Sequence, residues 1–353
     1  TISISVETTN GTSRSVSYIY SAGGPAPINF DLLFPIPMTA PTQMAWGPDG
    51  RLYVAKLDGT IEIFTFDANY AVVTNQVLAG VSGESNSTIL GLGFNPYDAS
   101  TNVRIYVSHS ELNAHGGACF DEFSPYNGEI SILEGTNLTT ITSLISGLPV
   151  SNHDHAVNGL VFDNNGDLLF VVGGNSNAGI PACNLGDVPE SPLSAAMLFA
   201  EITKPGFNGV IEYVESGTST TNNDQRDGQI VDVIDGVDVR VYAHGIRNAF
   251  DLAYTTEGRI YATDNGPNAS FGPTSTGPDT EGPEPETDDE FLVVEEGHYY
   301  GHPNRNRGRY DGRQNIYYDL TPPSEPYIFT QGVGVYLSSL VGIEEYRAST
   351  FNN

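Results

Sequence analysis

Three short stretches carry side chains able to do chemistry. Asn152-His153-Asp154-His155 sets two imidazoles and a carboxylate side by side before an apolar run. Imidazole changes protonation near neutral pH and binds metals when neutral, so this set could serve as a base or a metal ligand. Plain decoration of a surface loop is the alternative. Two histidines without a third nearby ligand are few for a metal hydrolase. Ala243-His244-Gly245-Ile246-Arg247-Asn248 puts a guanidinium fork beside an amide. That pair suits a planar carboxylate or quinone oxygen; the alternative is an arginine that pins neighbouring loop carbonyls. Thr263-Asp264-Asn265-Gly266-Pro267-Asn268 holds a Gly-Pro turn whose exposed carbonyl oxygens are ligands for a hard cation such as Ca²⁺, without the spacing of an EF-hand loop. Further on, Asp288-Asp289-Glu290 leads into Phe291-Leu292-Val293-Val294, and Tyr299-Tyr300-Gly301-His302-Pro303-Asn304 follows.

The elements that must position these residues read as β. Short runs of period two alternate with turn residues, as in Leu52-Tyr53-Val54-Ala55 and Ile61-Glu62-Ile63-Phe64 around Asp58-Gly59. A repeat is superimposed. Trp46-Gly47-Pro48-Asp49-Gly50-Arg51-Leu52-Tyr53 recurs as Phe162-Asp163-Asn164-Asn165-Gly166-Asp167-Leu168-Leu169 and as Tyr254-Thr255-Thr256-Glu257-Gly258-Arg259-Ile260-Tyr261. A looser copy starts at Phe94, and a weaker fifth begins near Ile343-Glu344-Glu345-Tyr346. Each copy is an aromatic strand end, a tight turn and a returning strand, which predicts the blades of a β-propeller. Residues 1–34 are expected to be a leading strand or the tail of a preceding domain, and 35–353 about four blades and the start of a fifth. Ser194 to Glu201 fits a helix or an extended strand equally. Gly217 to Gln229 and the acidic Gly272 to Asp289 read as loops. All three chemical clusters fall at strand ends in the same phase of the repeat, so the fold is expected to bring them to one face near the axis.

Composition narrows the partners. The 353 residues hold 14 Lys+Arg against 43 Asp+Glu, a formal charge of -29. Nucleic-acid binding needs a basic surface and is excluded on that ground. A bilayer-spanning helix needs about 20 consecutive apolar residues, far longer than any run here. With 39% hydrophobic and 10% aromatic residues the chain can bury a core. The acidic excess favours divalent cations or a high-salt setting, unless it is simple surface solvation. Cys119 and Cys183 could form a bridge or stay as buried thiols, and composition points to an extracellular setting. The glycosylation sequons at Asn10, Asn86, Asn137 and Asn268 match what chance supplies in so Asn- and Thr-rich a chain.

Taken in order, Gly147-Leu148-Pro149 with Asp154-His155, then His244 to Asn248, then Gly266-Pro267-Asn268, then Asp288 to Asn304, resemble the glucose/sorbosone dehydrogenase family from about residue 35 onward. The resemblance implies a six-bladed propeller, apparently incomplete here, with the rest in a missing segment or a second chain. It implies pyrroloquinoline quinone (PQQ) and Ca²⁺ as cofactors and a small carbohydrate as substrate. His155 would be the general base, with Asp289 orienting it. Arg247 and Asn248 would hold the cofactor's oxygens, and Asn265 stands where the family commonly has Gln. The Gly266 and Pro267 carbonyls would bind one Ca²⁺, and Glu290 with the Tyr300 carbonyl resemble part of a second site. Three departures stand out: Asn158-Gly159-Leu160 replaces the frequent Gly-Arg-Leu, Ala269 to Thr287 is inserted, and the family's later Lys and Arg clamps have no match. The family also includes the propeller of hedgehog-interacting protein, so a non-catalytic binding or structural module with a protein partner is the alternative.

Overall fold

The aromatic–turn–strand repeat is the joint between the first two strands of each sheet. In this computed structural model the described residues are 2–7, 13–18, 35–112, 124–151, 153–177, 179, 185, 190–223, 231–269, 274–277, 280–282, 288–302, 332–336 and 339–347. Cys119, Cys183, Asn152, Pro303 and Asn304 lie outside them. The chain divides into two units, 39–345 and 1–38 with 346–353. Within the smaller, β1 (Ile2–Glu7) and β2 (Ser13–Tyr18) pair antiparallel with Ile4 opposite Val16.

The larger unit holds four four-stranded antiparallel sheets. The first runs β3 (Pro41–Trp46), β4 (Leu52–Lys56), β5 (Ile61–Phe66), β6 (Val72–Leu78). The second runs β7 (Thr88–Gly93), β8 (Ile105–Ser110), β9 (Gly128–Glu134), β10 (Thr140–Leu148). In the third, β11 (Val157–Phe162), β12 (Leu168–Val172) and β13 (Ala196–Ala200) are joined by β16 (Val239–His244), with a hairpin of β14 (Tyr213–Glu215) and β15 (Val231–Val233) inserted. The fourth pairs β17 (Ala249–Tyr254), β18 (Ile260–Asp264), β21 (Asp289–Val294) and β22 (Gly332–Tyr336), and its insert carries the hairpin β19 (Thr274–Gly277) and β20 (Thr280–Gly282). Successive sheets pack through their first strands, β3 on β7, β7 on β11, β11 on β17. Among the described residues this is an all-β propeller arrangement of four blades with no helix, where the family resemblance implied a six-bladed ring incomplete in this chain.

Local chemistry makes the joints. Gly50, Gly166 and Gly258 take φ of 76°, 84° and 77°, a region that costs glycine little. A side chain closes each turn: Asp163 Oδ1 accepts the Asn165 and Asp167 amides at 2.8 and 2.9 Å, Thr255 Oγ1 the Arg259 amide at 3.0 Å and Asp49 Oδ1 the Arg51 amide at 3.2 Å. Close approach of the first strands also needs glycine. A Cβ on Gly91 would lie 2.4 Å from the Asn158 carbonyl, and one on Gly159 2.7 Å from Asp251 Oδ1.

The core lies between sheets. Tyr53, Ile61 and Ile63 meet Ile89, Leu92 and Ile105, and Leu169, Val171 and Met197 meet Leu252, Ile260 and Leu292. Strand β12 is buried on both faces, which is why Leu168 to Val172 is an unbroken apolar run. Phe94 packs edge-on to Tyr53 at 4.9 Å, and Phe162 to Tyr106 at 4.8 Å. Trp46, the same repeat position in the first sheet, is 55% exposed. Within the ambiguous Ser194–Glu201, Ala196–Ala200 resolves as strand, because pairing with β12 and β16 overrides its Ala/Met/Leu content. The acidic stretch 272–289, read as a loop, holds the β19–β20 hairpin.

Candidate functional site

The loop before β11 is closed by Ser151, whose amide donates to the His155 carbonyl at 2.8 Å. Its Oγ accepts the His153 and His155 amides at 3.2 and 3.1 Å. The turn leaves His155 buried, with Nδ1 2.6 Å from the Gly174 carbonyl just beyond β12. A carbonyl only accepts, so Nδ1 carries the proton and Nε2 keeps its lone pair. Nε2 lies 3.8 Å from Asp154 Oδ1, and the same oxygen meets His153 Nδ1 at 2.7 Å. Burial and then the Arg247 charge push the His155 pKa down to about 4, against the opposing pull of Asp154 and the Gly174 bond; His302 lowers it further. The imidazole is therefore neutral at pH 7.

Arg247, between β16 and β17, is fully buried. Nε donates to the Asn177 carbonyl at 2.8 Å, Nη2 to Asn177 Oδ1 at 2.6 Å and Nη1 to the Asn265 carbonyl at 3.1 Å. The amides of Arg247 and Asn248 both donate to the Asp264 carboxylate, at 3.1 and 2.7 Å, so the end of β18 fixes the start of β17. Asn265 Nδ2 donates to the Asn248 carbonyl at 3.1 Å, and Asn158 Nδ2 to Asn248 Oδ1 at 2.9 Å. Between His155 and Asn248 sits Gly173, where a Cβ would fall 2.8 Å from His155 Cβ and 2.5 Å from Asn248 Oδ1.

The Gly266-Pro267 turn follows β18 and is buried. The Gly266 amide donates to Asp289 Oδ1 at 2.9 Å, and the Leu340 amide to Asp289 Oδ2 at 2.9 Å. Burial raises the Asp289 pKa, and these two bonds oppose it. Asn268 pairs with Asn177 in both directions, each bond 3.0 Å. One bonded network thus joins His155, Arg247, Asn248, Asn265, Gly266 and Asp289. The orienting bond to His155 comes from Gly174, whereas Asp289 anchors the Gly-Pro turn. Glu290 is buried opposite Asp264 in the β18–β21 register. The Tyr300 amide donates to the His244 carbonyl at 2.8 Å and its hydroxyl to the Val293 carbonyl at 2.8 Å.

Four members of this network are not among the residues picked out for the site from sequence: Gly174, Asn177, Glu190 and His302. Gly173 to Asn177 leave the second strand of the third sheet where Asn265-Gly266-Pro267 leave the second strand of the fourth, and that shared phase was the available signal. Glu190 and His302, bonded at 2.8 Å, are nearly inaccessible to solvent. Burial alone would raise the Glu190 pKa; the His302 bond and charge and the Ser176 and Ser194 hydroxyls reverse this and bring it to about 2.

No protein-family model matches this sequence, and no curated protein matches it. Solved structures do. A PQQ-bound aldose sugar dehydrogenase from Streptomyces coelicolor is 18% identical over 76% of this chain and 63% of its own, with a TM-score of 0.46. A family AA12 carbohydrate-active enzyme from Trichoderma reesei is 16% identical over 77% and 57%, TM-score 0.48. The holo PQQ domain of pyranose dehydrogenase from Coprinopsis cinerea is 15% identical over 75% and 54%, TM-score 0.47. The chain therefore spans less than two thirds of the length of each of these structures.

Proposed function

We propose that this chain is part of a quinoprotein oxidoreductase that takes PQQ and Ca²⁺ and oxidises an aldose or related hydroxyl compound. The observation that supports this most is that one short loop, Gly174 to Asn177, holds both a neutral buried histidine and the Arg247 fork. The donor chemistry fits the two cofactors. Carbonyl oxygens at a Gly-Pro turn braced by Asp289 suit a hard cation, and guanidinium and amide donors at Arg247 and Asn248 suit quinone oxygens. Bound there, the quinone would supply a two-electron acceptor and Ca²⁺ would polarise its carbonyl. His155 would take the hydroxyl proton at Nε2, since Nδ1 is already committed to Gly174. Asp154, close to Nε2, would stabilise the imidazolium that results. Asn177 would keep the planar Arg247 fork aimed. In the same reading the four sheets belong to a six-bladed ring completed by further polypeptide or a second chain, in an extracellular setting.

One observation favours a second reading. Arg247 directs Nε, Nη1 and Nη2 at Asn177 and Asn265, as a structural pin would. The chain would then be a non-catalytic binding or structural module with a protein partner. Titration with PQQ at fixed Ca²⁺, followed by quinone absorbance and by dye reduction with a panel of aldoses, separates the two. Bound quinone with turnover supports the oxidoreductase; neither binding nor turnover supports the module.

A further inference from the structure

Behind the candidate base lies a buried carboxylate to which the proposed chemistry gives no part. Glu190 is 4% exposed, and its two oxygens take five bonds. The Asn175 and Ser176 amides donate at 2.9 and 3.0 Å, and the Ser176 and Ser194 hydroxyls at 2.6 and 2.5 Å. His302 Nε2 adds the fifth at 2.8 Å. Three of these donors belong to the Gly174–Asn177 loop itself. That loop faces the site through main-chain atoms: Gly174 gives its carbonyl to His155 and its amide to the Arg247 carbonyl at 2.7 Å, and Asn177 grips the guanidinium. The loop packs against its anchor with no room to spare, since a Cβ on Gly174 would lie 3.0 Å from Glu190 Oε1 and 2.8 Å from His302 Nε2. Ser194 closes the far side, donating to Glu190 and accepting the Ser191 amide at 2.9 Å. A buried anion is costly unless fully bonded, and here every described contact ties it to a segment that leads to the site.

We infer that Glu190 is a positioning residue: it fixes the Gly174–Asn177 loop and through it sets the ring of His155 and the plane of Arg247. The inference rests on reading His155 as the base. Its test needs no cofactor, so failure of quinone turnover would sink the proposed function without touching it. The readout is the solvent-exchange rate of the His155 Nδ1–H proton, followed by NMR on the full chain labelled at histidine. Asp167 provides the control. It is a buried carboxylate at the opposite end of β12, accepting the Thr203 amide and hydroxyl at 2.9 and 2.7 Å.

Glu190→Gln is expected to speed exchange on the order of tenfold or more, as the loss of charge-assisted bonds implies. Ser176→Ala, which keeps the carboxylate, should move it in the same direction by less. Asp167→Asn should lower the unfolding midpoint and leave the exchange rate alone. Unchanged exchange in both site variants, or equal acceleration in Asp167→Asn, overturns the inference. If Glu190→Gln does not fold, Ser176→Ala against Asp167→Asn decides it.

Discussion

His155 and Asp154 face each other with Nε2 3.8 Å from Oδ1, while the opposite edge of the ring is held by a main-chain carbonyl. The carboxylate is the nearest group that favours a proton on Nε2, and it works against burial and Arg247. Because the folded pKa is about 4 and the ordinary value 6.5, the unfolded chain binds a proton across that interval that the folded chain refuses. This group therefore makes stability rise with pH through the interval, reaching its full value above it. Asp154→Asn should drop the His155 midpoint further, and any turnover should show its acid limb moving the same way. NMR titration of the His155 ring checks the first point, and a midpoint that stays put or rises would contradict it.

Asp251 titrates with the opposite sign. It sits in β17, accepting the Leu252 amide at 2.9 Å and the Ile343 amide at 3.2 Å, with Gln43 of β3 as a further partner. Burial raises its pKa to about 6, with a smaller push from Glu344 and opposition from the three bonds. Between the ordinary 3.8 and that value the folded state holds a proton the unfolded state has lost, so this group makes stability fall as pH rises. The two contributions offset each other in the native chain. Asp251→Asn should unmask the histidine, giving urea midpoints that climb more steeply from pH 4 to 6. A slope identical to that of the native chain would count against the assignment.

If the Gly266-Pro267 turn holds Ca²⁺ as proposed, Asp289→Asn should weaken its binding. Both carboxylate oxygens accept main-chain amides, from Gly266 and from Leu340, and an asparagine must turn a donor toward one of them. That mismatch costs about 1–3 kcal/mol. Calorimetric titration with Ca²⁺ should show an affinity loss of roughly tenfold where about 1.4 kcal/mol of that mismatch falls on the cation-bound form. Unaltered affinity would remove the Gly266-Pro267 turn from consideration as a cation site.

The aromatic at the end of each first strand should differ in worth from sheet to sheet. Phe162 is buried against Tyr106, and Phe162→Ala should cost about 3 kcal/mol or more. Trp46 is largely exposed, and Trp46→Ala should cost under about 1 kcal/mol. Guanidinium unfolding of both variants measures the contrast, and equal losses would mean that Trp46 is covered in solution.

Most of the sheet order was legible because it is written in local chemistry. A glycine at positive φ makes the same joint in the copies at Trp46, Phe162 and Tyr254, and these with the glycine-free copy at Phe94 each mark the first strand of a sheet. The inserted hairpins were not legible, since three-residue strands such as Tyr213–Glu215 have too little periodicity to stand out. Ser194–Glu201 stayed ambiguous because side-chain propensity there disagrees with the pairing that settles it. At the site, residue types pointed to His155, Arg247 and the Gly-Pro turn. What links them was hidden, because Gly174 and Asn177 act largely through main-chain atoms across long sequence separations. Glu190 was hidden for another reason: between prolines it reads as a turn, and nothing local shows that five donors converge on it.

The main-chain character of these links bears on how such a site can change over time. The Gly174, Asn177 and Asn265 carbonyls and the Gly266 amide exist whatever side chain the position carries. Much of the spelling around them is thus free to drift while the arrangement persists, and two chains could share it with few letters in common. The limit on that drift is steric. At Gly173 and Gly174 a single added methyl would strike the very groups being arranged, so the most constrained positions here are the two that contribute no side chain at all.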